Sequence, residues 1–375
     1  MGSKVGRGRK GMSWAEIVAG GLYATGSMRL LESLSGSYGL RRSGLLPQLY
    51  RTDSPKFVIL CYHRVGSGGI PLYSSLSVEI FERQMRFVSD HYRVVSLGQA
   101  CDELRSPVAN TSPGIVVTFD DGYCDIYHKA FPILQKYRVP ATVFLTAGAV
   151  ETGEVAWYDR VFLALKLWPG EVFGLDLDRP RQFSITNAET RKEAAVEIVS
   201  FLCTLPNCRR RLCCLELEQR MSLPMKDLTG RMLTWEQVRE MYQAGIIFGS
   251  HTMTHPVVSQ LSAAEMSDEL YESKSLMERR IGCRVDEFAF PFGHRSHRNG
   301  RNLQAIEDFG YRCAVTTDWG CNLPGANLYE LRRVQVDDQP SLPLFVLRLN
   351  QALLQVPGAG EGAASHNRQV RIHSR

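Results

Sequence analysis

The chain has 375 residues, of which 44% are hydrophobic and 22% charged, and it carries a net charge of +5. These are the proportions of an ordinary globular protein, with length for one large α/β domain or two smaller ones. Ten irregularly spaced cysteines argue against a disulfide scaffold, and no basic stripe with interleaved aromatics lies outside the tails, which argues against nucleic-acid binding.

Residues 1–51 read as a basic arm with weak helices. "MGSKVGRGRK" has four basic residues and no acidic one, a composition suited to peripheral contact with an anionic membrane surface. The apolar run "IVAGGLYATGSM" (17–28) is too short to span a bilayer. Glu16 at its edge and the lack of a small-residue cleavage site count against a secretory leader. Gly6 stands where a myristoylation pattern needs Ser or Thr, so no acylation is expected.

From residue 52 the chain alternates apolar runs with amphipathic stretches. "FVILCYH" reads as a buried strand, "SVEIFERQMRFVSDHY" as a helix and "RVVSL" as a strand. "GIVVTFDDGY" follows as a strand that ends in two acids, then "IYHKAFPILQKYR" as a helix and "ATVFLTAG" as a strand. After residue 230 the rhythm resumes: "TWEQVREMYQAG" (helix), "IIFGSHTMTH" (strand and turn), "SAAEMSDELYESKSLMERRIG" (helix), "EFAFPFG" (strand), "GRNLQAIEDFG" (helix) and "YRCAVTT" (strand). The pattern predicts an α/β protein, a distorted (β/α) barrel of about seven parallel strands.

Residues 152–230 interrupt it with helix-like patterns and no clear strand, and read as a helical insertion, a lid or flank, within one unit spanning 52–350. The cysteines of "CTLPNCRRRLCC" lack the C-x-x-C spacing of a zinc knuckle and read as one helix face. Residues 351–375, rich in Gly, Ala and polar side chains, read as a tail without fixed structure.

In β/α barrels the working groups gather where strands end. Here those positions hold His63, the pair Asp120 and Asp121, His251 and His255, Phe292 and Gly293, and Asp318 and Trp319. Adjacent carboxylates repel and need a cation, a shared proton or water. In "SHTMTHP" two histidines four apart can aim at one point if the loop continues as a helical turn. Two imidazoles and one carboxylate make three ligands of a catalytic metal site with room for water. One acid can hold the ion while its neighbour takes a proton from water, and His63 can return a proton to the leaving group.

"TFDDGY" followed by "SHTMTHP" and then "FAFPFG" resembles the polysaccharide deacetylase (NodB-homology) family over roughly residues 56–338. The resemblance implies a metal-dependent hydrolase on a distorted (β/α) barrel that removes acetyl groups from the amino sugars of a glycan or glycolipid. It implies Asp121, His251 and His255 as ligands of a divalent metal, with zinc as the default over iron(II) or another ion, and Asp120 as general base. The peptide N–H of Phe292, after Pro291, would help to hold the oxyanion, and Trp319 matches an aromatic of the fourth motif. Many relatives carry an arginine that pairs with the base where this chain has Ala289. Arg333 in "ELRRVQV", just after the last predicted strand, is the expected substitute. The usual acid histidine near the domain's end has no counterpart, since His366 and His373 lie in the tail. "CYHRV" resembles the subgroup with a permuted barrel order, which makes His63 the expected acid.

Ten cysteines without a disulfide pattern fit reduced thiols in the cytoplasm or at its membrane surface, and exopolysaccharide or glycolipid assembly would suit that setting by family analogy. Two rival functions remain at this level. One is hydrolysis of an O-acetyl ester or a non-sugar amide on the same machinery; the other is an inactive carbohydrate-binding protein that keeps the fold. The sequence leaves the oligomeric state open.

Overall fold

The computed structural model describes residues 56–66, 75–106, 112–176, 180–221, 230–336 and 341–354. The basic arm 1–51 lies outside them, as does the tail beyond residue 354. The tail's first four residues, 351–354, belong to a helix instead of a structureless segment.

In chain order the elements begin with β1 (Phe57–Tyr62), α1 (Val78–His91), β2 (Arg93–Val94), α2 (Leu97–Arg105) and β3 (Gly114–Phe119). A π-helical turn, Ile126–Ala130, leads into α3 (Phe131–Tyr137), then β4 (Ala141–Leu145) and α4 (Ala147–Thr152). The insertion holds α5 (Trp157–Leu167), β5 (Val172–Asp176), β6 (Pro180–Ser184), α6 (Ala188–Leu202) and α7 (Asn207–Met221). The chain then resumes with α8 (Trp235–Gln243), β7 (Ile247–Ser250), α9 (Ala263–Ile281) and β8 (Glu287–Ala289). It ends with α10 (Gly300–Asp308), β9 (Cys313–Trp319), β10 (Leu331–Gln335) and α11 (Leu342–Leu354). Helix starts are written locally: Ser96 with Gln99, Thr234 with Gln237, Ser262 with Glu265 and Asn299 with Asn302 each form a reciprocal capping box.

Seven parallel strands close into a ring in the order β1, β10, β9, β8, β7, β4, β3 and back to β1. Short β2 pairs only with the start of β3, at Gly114 and Ile115. Side chains alternate along each strand, so two cores form. Phe57, Ile59, Val116, Phe144, Ala289, Val315 and Leu331 fill the barrel, and α2 seals its amino end with Leu97, Ala100, Cys101 and Leu104. Their neighbours Val58, Leu60, Ile115, Val117, Val143 and Leu145 pack outward against the helices. Gly249 on β7 lets the interior close, because a Cβ there would stand 2.5 Å from the Phe144 ring and 2.8 Å from the Glu287 carbonyl.

Two sequence expectations need correction. The insertion is not wholly helical: β5 and β6 form an antiparallel hairpin, from Val172 opposite Ser184 to Asp176 opposite Pro180. Only Phe173, Leu175 and Phe183 of that hairpin reach the insertion's own core, too few to mark strands in a charged stretch. Arg333 does not follow the last strand but lies within β10, which closes the ring between β1 and β9. Opposite it, β9 runs from Val315 to Trp319 while β10 advances only from Leu331 to Arg333. Such bulges re-aim side chains beside functional sites.

Candidate active site

At the carboxyl end of the barrel the apolar interior gives way to charge. Alternation along β3 puts Asp120 on the inward row after Val116 and Thr118, and the next peptide turns left-handed at Asp121, with φ 74°. Among the described residues only five non-glycine positions have positive φ, and four are Asp121, Thr252, His255 and Phe292. Strained backbone of this kind persists where surrounding contacts over-determine it, and it gathers at functional sites.

The two neighbouring acids have opposite surroundings. Arg333 crosses the lumen and grips Asp120 with both guanidinium nitrogens, Nη1 to Oδ1 at 2.7 Å and Nη2 to Oδ2 at 2.6 Å. Its Nε donates to the Thr316 carbonyl at 2.7 Å, and the Cys61 thiol donates to Asp120 Oδ2 at 3.8 Å. Burial alone would raise the Asp120 pKa, but the charge of Arg333, helped by His251, holds it well below the usual carboxylate range. Asp121 has no such partner. Both of its oxygens are buried with no cation of the chain bonded to them, and the Tyr158 hydroxyl is the neutral group that draws on them. Burial, with repulsion from Asp120, outweighs the pull of His63, His251 and the Tyr158 hydroxyl and raises its pKa.

His251 and His255 face Asp121. Asp121 Oδ1 lies 3.6 Å from His251 Nε2 and 3.4 Å from His255 Nε2. The His251 Nδ1–H donates to the Ala289 carbonyl at 2.7 Å, which turns the Nε2 edge of the ring toward the carboxylate. Burial, then repulsion from His251, drives the His255 pKa well below the imidazole value, so this ring is neutral, the form a metal ligand requires. The rings do not converge through a helical turn, as the spacing had suggested. Thr252 and His255 are left-handed (φ 68° and 55°), the His255 N–H donates to Thr252 Oγ1 at 3.0 Å, and buried Glu269 of α9 accepts from the Met253 and Thr254 N–H groups.

Ligand atoms of Asp121, His251 and His255 lie within 4.8 Å of one another. With a buried carboxylate that no cation of the chain engages, and the neutral His255 imidazole beside His251 Nε2, this trio fits a divalent ion with an open position. Cys61, His63 and Asp120 form a second group equally close, but there both Asp120 oxygens are already engaged by Arg333. Donors of His63 and Asp120 therefore stand side by side without competing for the same ion.

Pro291, Phe292 and Gly293 form a tight turn after β8. The Gly293 N–H donates to the Pro291 carbonyl at 2.7 Å, and Thr317 Oγ1 donates to the Phe292 carbonyl at 2.9 Å. The Phe292 ring meets that of His255 at 4.8 Å. Trp319 ends β9 in register with Arg333 and is half-buried against the outer core; it is not packed on the Asp121 trio. Sequence reasoning missed Glu269 and Trp157, whose indole N–H donates to the His255 carbonyl at 3.0 Å. Neither carries a motif, and Trp157 comes from the insertion at no fixed spacing.

Against known proteins, the family model described as "Polysaccharide deacetylase" matches residues 108–314. That span takes in both acids, both histidines and Phe292 but leaves out His63, Trp319 and Arg333. A Bacillus subtilis (strain 168) protein named "Putative polysaccharide deacetylase YxkH" is 24% identical over 290 residues, 76% of this chain and 74% of its own. Among solved structures, the Streptococcus pyogenes deacetylase PplD in complex with acetate superposes with a TM-score of 0.55 at 21% identity, covering 80% of this chain and 100% of that one. A polysaccharide deacetylase from Bacillus cereus gives a TM-score of 0.52 at 19% identity, covering 80% and 70%. At these identities the solved structures establish the fold, a distorted (β/α) barrel.

Proposed function

This chain belongs to the polysaccharide deacetylase family, and from that premise we propose that it hydrolyses the acetamide of N-acetylated amino sugars in a glycan or glycolipid. Asp121, His251 and His255 would hold a divalent ion, with zinc as the default. Such an ion, when bound, polarises an acyl oxygen and acidifies water. Asp120 is the general base: ionised at every working pH by its Arg333 pair, it accepts the proton of the attacking water. The Phe292 N–H would stabilise the charge that develops on the acyl oxygen. His63, next to Asp120, donates the proton that lets the amine depart, in the manner of the subgroup with a "YHRV"-type motif. Trp319, at the end of β9, would contribute an aromatic face near the mouth of the barrel by its match to the fourth motif.

The observation that carries this reading is the convergence of three ligand atoms beside a separately compensated second acid. Acetate, which the Streptococcus pyogenes structure holds, is the product such a step would release. Among the described residues no helix is long and apolar enough to cross a membrane, and the basic N-terminal arm would supply any contact with a membrane surface.

The test uses purified protein with Asp120→Asn. It should keep stoichiometric metal and lose acetate release from N-acetylated glycan by a factor of about a hundred to ten thousand. Unchanged turnover would remove Asp120 from the role of base. Parallel assays on O-acetylated glycan and on non-sugar amides separate the amide from the ester reaction; faster release from the ester would replace the substrate class proposed.

A further inference from the structure

The insertion touches the ion site directly. Its first helix, α5, opens with Trp157 and Tyr158 against the loop that carries His255. The Trp157 N–H reaches the His255 carbonyl at 3.0 Å, and the Tyr158 ring meets the His255 imidazole edge to face at 4.7 Å. Both rings lie 6.0 Å from that of Phe292. His255 and Phe292 stand on different loops, yet each is a non-glycine residue held left-handed (φ 55° and 58°), a conformation that neighbours must maintain.

Trp157 is itself fixed from behind. The Arg210 guanidinium of α7 lies over its ring at 4.6 Å and donates to Asn207 Oδ1 at 2.5 Å. Asn207 Nδ2 in turn donates to Glu265 at the start of α9, the helix whose Glu269 holds the other side of the same loop. A buried indole N–H ordinarily finds some acceptor, so the hydrogen bond alone says little. Here the acceptor is the carbonyl of a strained ligand residue, and the same ring pair also braces the strained turn at Phe292.

We propose that Trp157 is a positioning residue that holds the His255 imidazole toward Asp121, and that α5 and α7 of the insertion act as a fixed buttress of the ion site. The inference rests on the reading of Asp121, His251 and His255 as metal ligands.

The experiment titrates full-length, chelator-treated protein with Co2+ and follows both affinity and visible absorption. Trp157→Phe keeps the ring but loses the N–H; it should bind Co2+ roughly tenfold or more weakly, the range for groups that orient metal ligands, with an altered absorption envelope. Trp235→Phe is the control. Trp235 donates its N–H to Glu151 Oε2 at 2.6 Å in the outer helix layer, so its loss should leave both readouts unchanged. Melting of the metal-free variants is recorded alongside, and Trp157→Tyr, which also lacks the indole N–H, serves if the phenylalanine variant does not fold. Wild-type affinity and spectrum in the Trp157 variants overturn the inference while leaving the ligand assignment intact. Should His255→Ala bind Co2+ as wild type does, the ligand assignment itself fails, and the inference with it.

Discussion

At the carboxyl end of the barrel Asp120 and Asp121 sit within a cluster of opposing charges and left-handed backbone. At the amino end Glu287, the first residue of β8, is buried beside Gly98 of α2 on a regular strand paired with Cys313. Burial pushes the Glu287 carboxyl up to about 7, against the pull of the Thr142 hydroxyl and Arg312. The base thus handles its acid by keeping it close to neutral, whereas the mouth keeps one acid ionised through a dedicated guanidinium. A barrel end that serves only to be closed has no use for a permanent carboxylate, and this contrast can be attacked at three positions.

The largest effect belongs to Arg333→Met. Removing one partner from a buried ion pair leaves an uncompensated charge and typically costs about 3–5 kcal/mol. The urea midpoint should fall accordingly, and the double variant with Asp120→Asn should recover most of the loss. A cost below about 1 kcal/mol would put the pair in the class of exposed ion pairs and erase the distinction between mouth and base.

Much of the mouth was legible in the sequence because apolar runs that end in Asp-Asp, in His-x-x-x-His or in Phe-Gly mark strand ends directly. The parts that were not legible have physical reasons. Arg333 lies in a strand whose inward row must carry a charge, so "LRRVQV" does not read as a buried strand, and its partner stands more than two hundred positions away. The turn that brings His251 and His255 together uses positive φ at Thr252 and His255, where no glycine announces it. The hairpin of the insertion shows the core only three large side chains. In each case tertiary contacts override the local pattern.

Glu287→Gln tests the base and should have the next largest effect. A carboxyl whose pKa rises from the ordinary 4.5 to about 7 on folding stabilises the fold fully below pH 4.5, and that contribution is lost as pH rises through about 7. The difference amounts to roughly 3 kcal/mol. Stability measured from pH 4.5 to 8.5 should therefore decline more steeply in the wild type than in the variant, with the variant gaining at the alkaline end. Parallel pH profiles would mean that Glu287 ionises freely and that the base does not suppress charge.

Asp121→Asn gives the smallest change and the most informative sign. The substitution is isosteric, and asparagine tolerates the left-handed backbone that position 121 adopts. In the chelated protein it replaces a buried carboxylate that no cation of the chain compensates with a neutral amide, so the unfolding free energy should rise by an amount on the order of 1–2 kcal/mol, read as a higher melting midpoint. Added zinc should reverse the ranking, because only the wild type gains stability from an ion that binds the folded state. Adjacent acids would then respond oppositely, Asp120 destabilised by losing its cation and Asp121 relieved by losing its charge. A variant that is less stable than wild type in chelator would show that Asp121 is already compensated within the chain, and the physical case for an ion at the barrel mouth would lose its support.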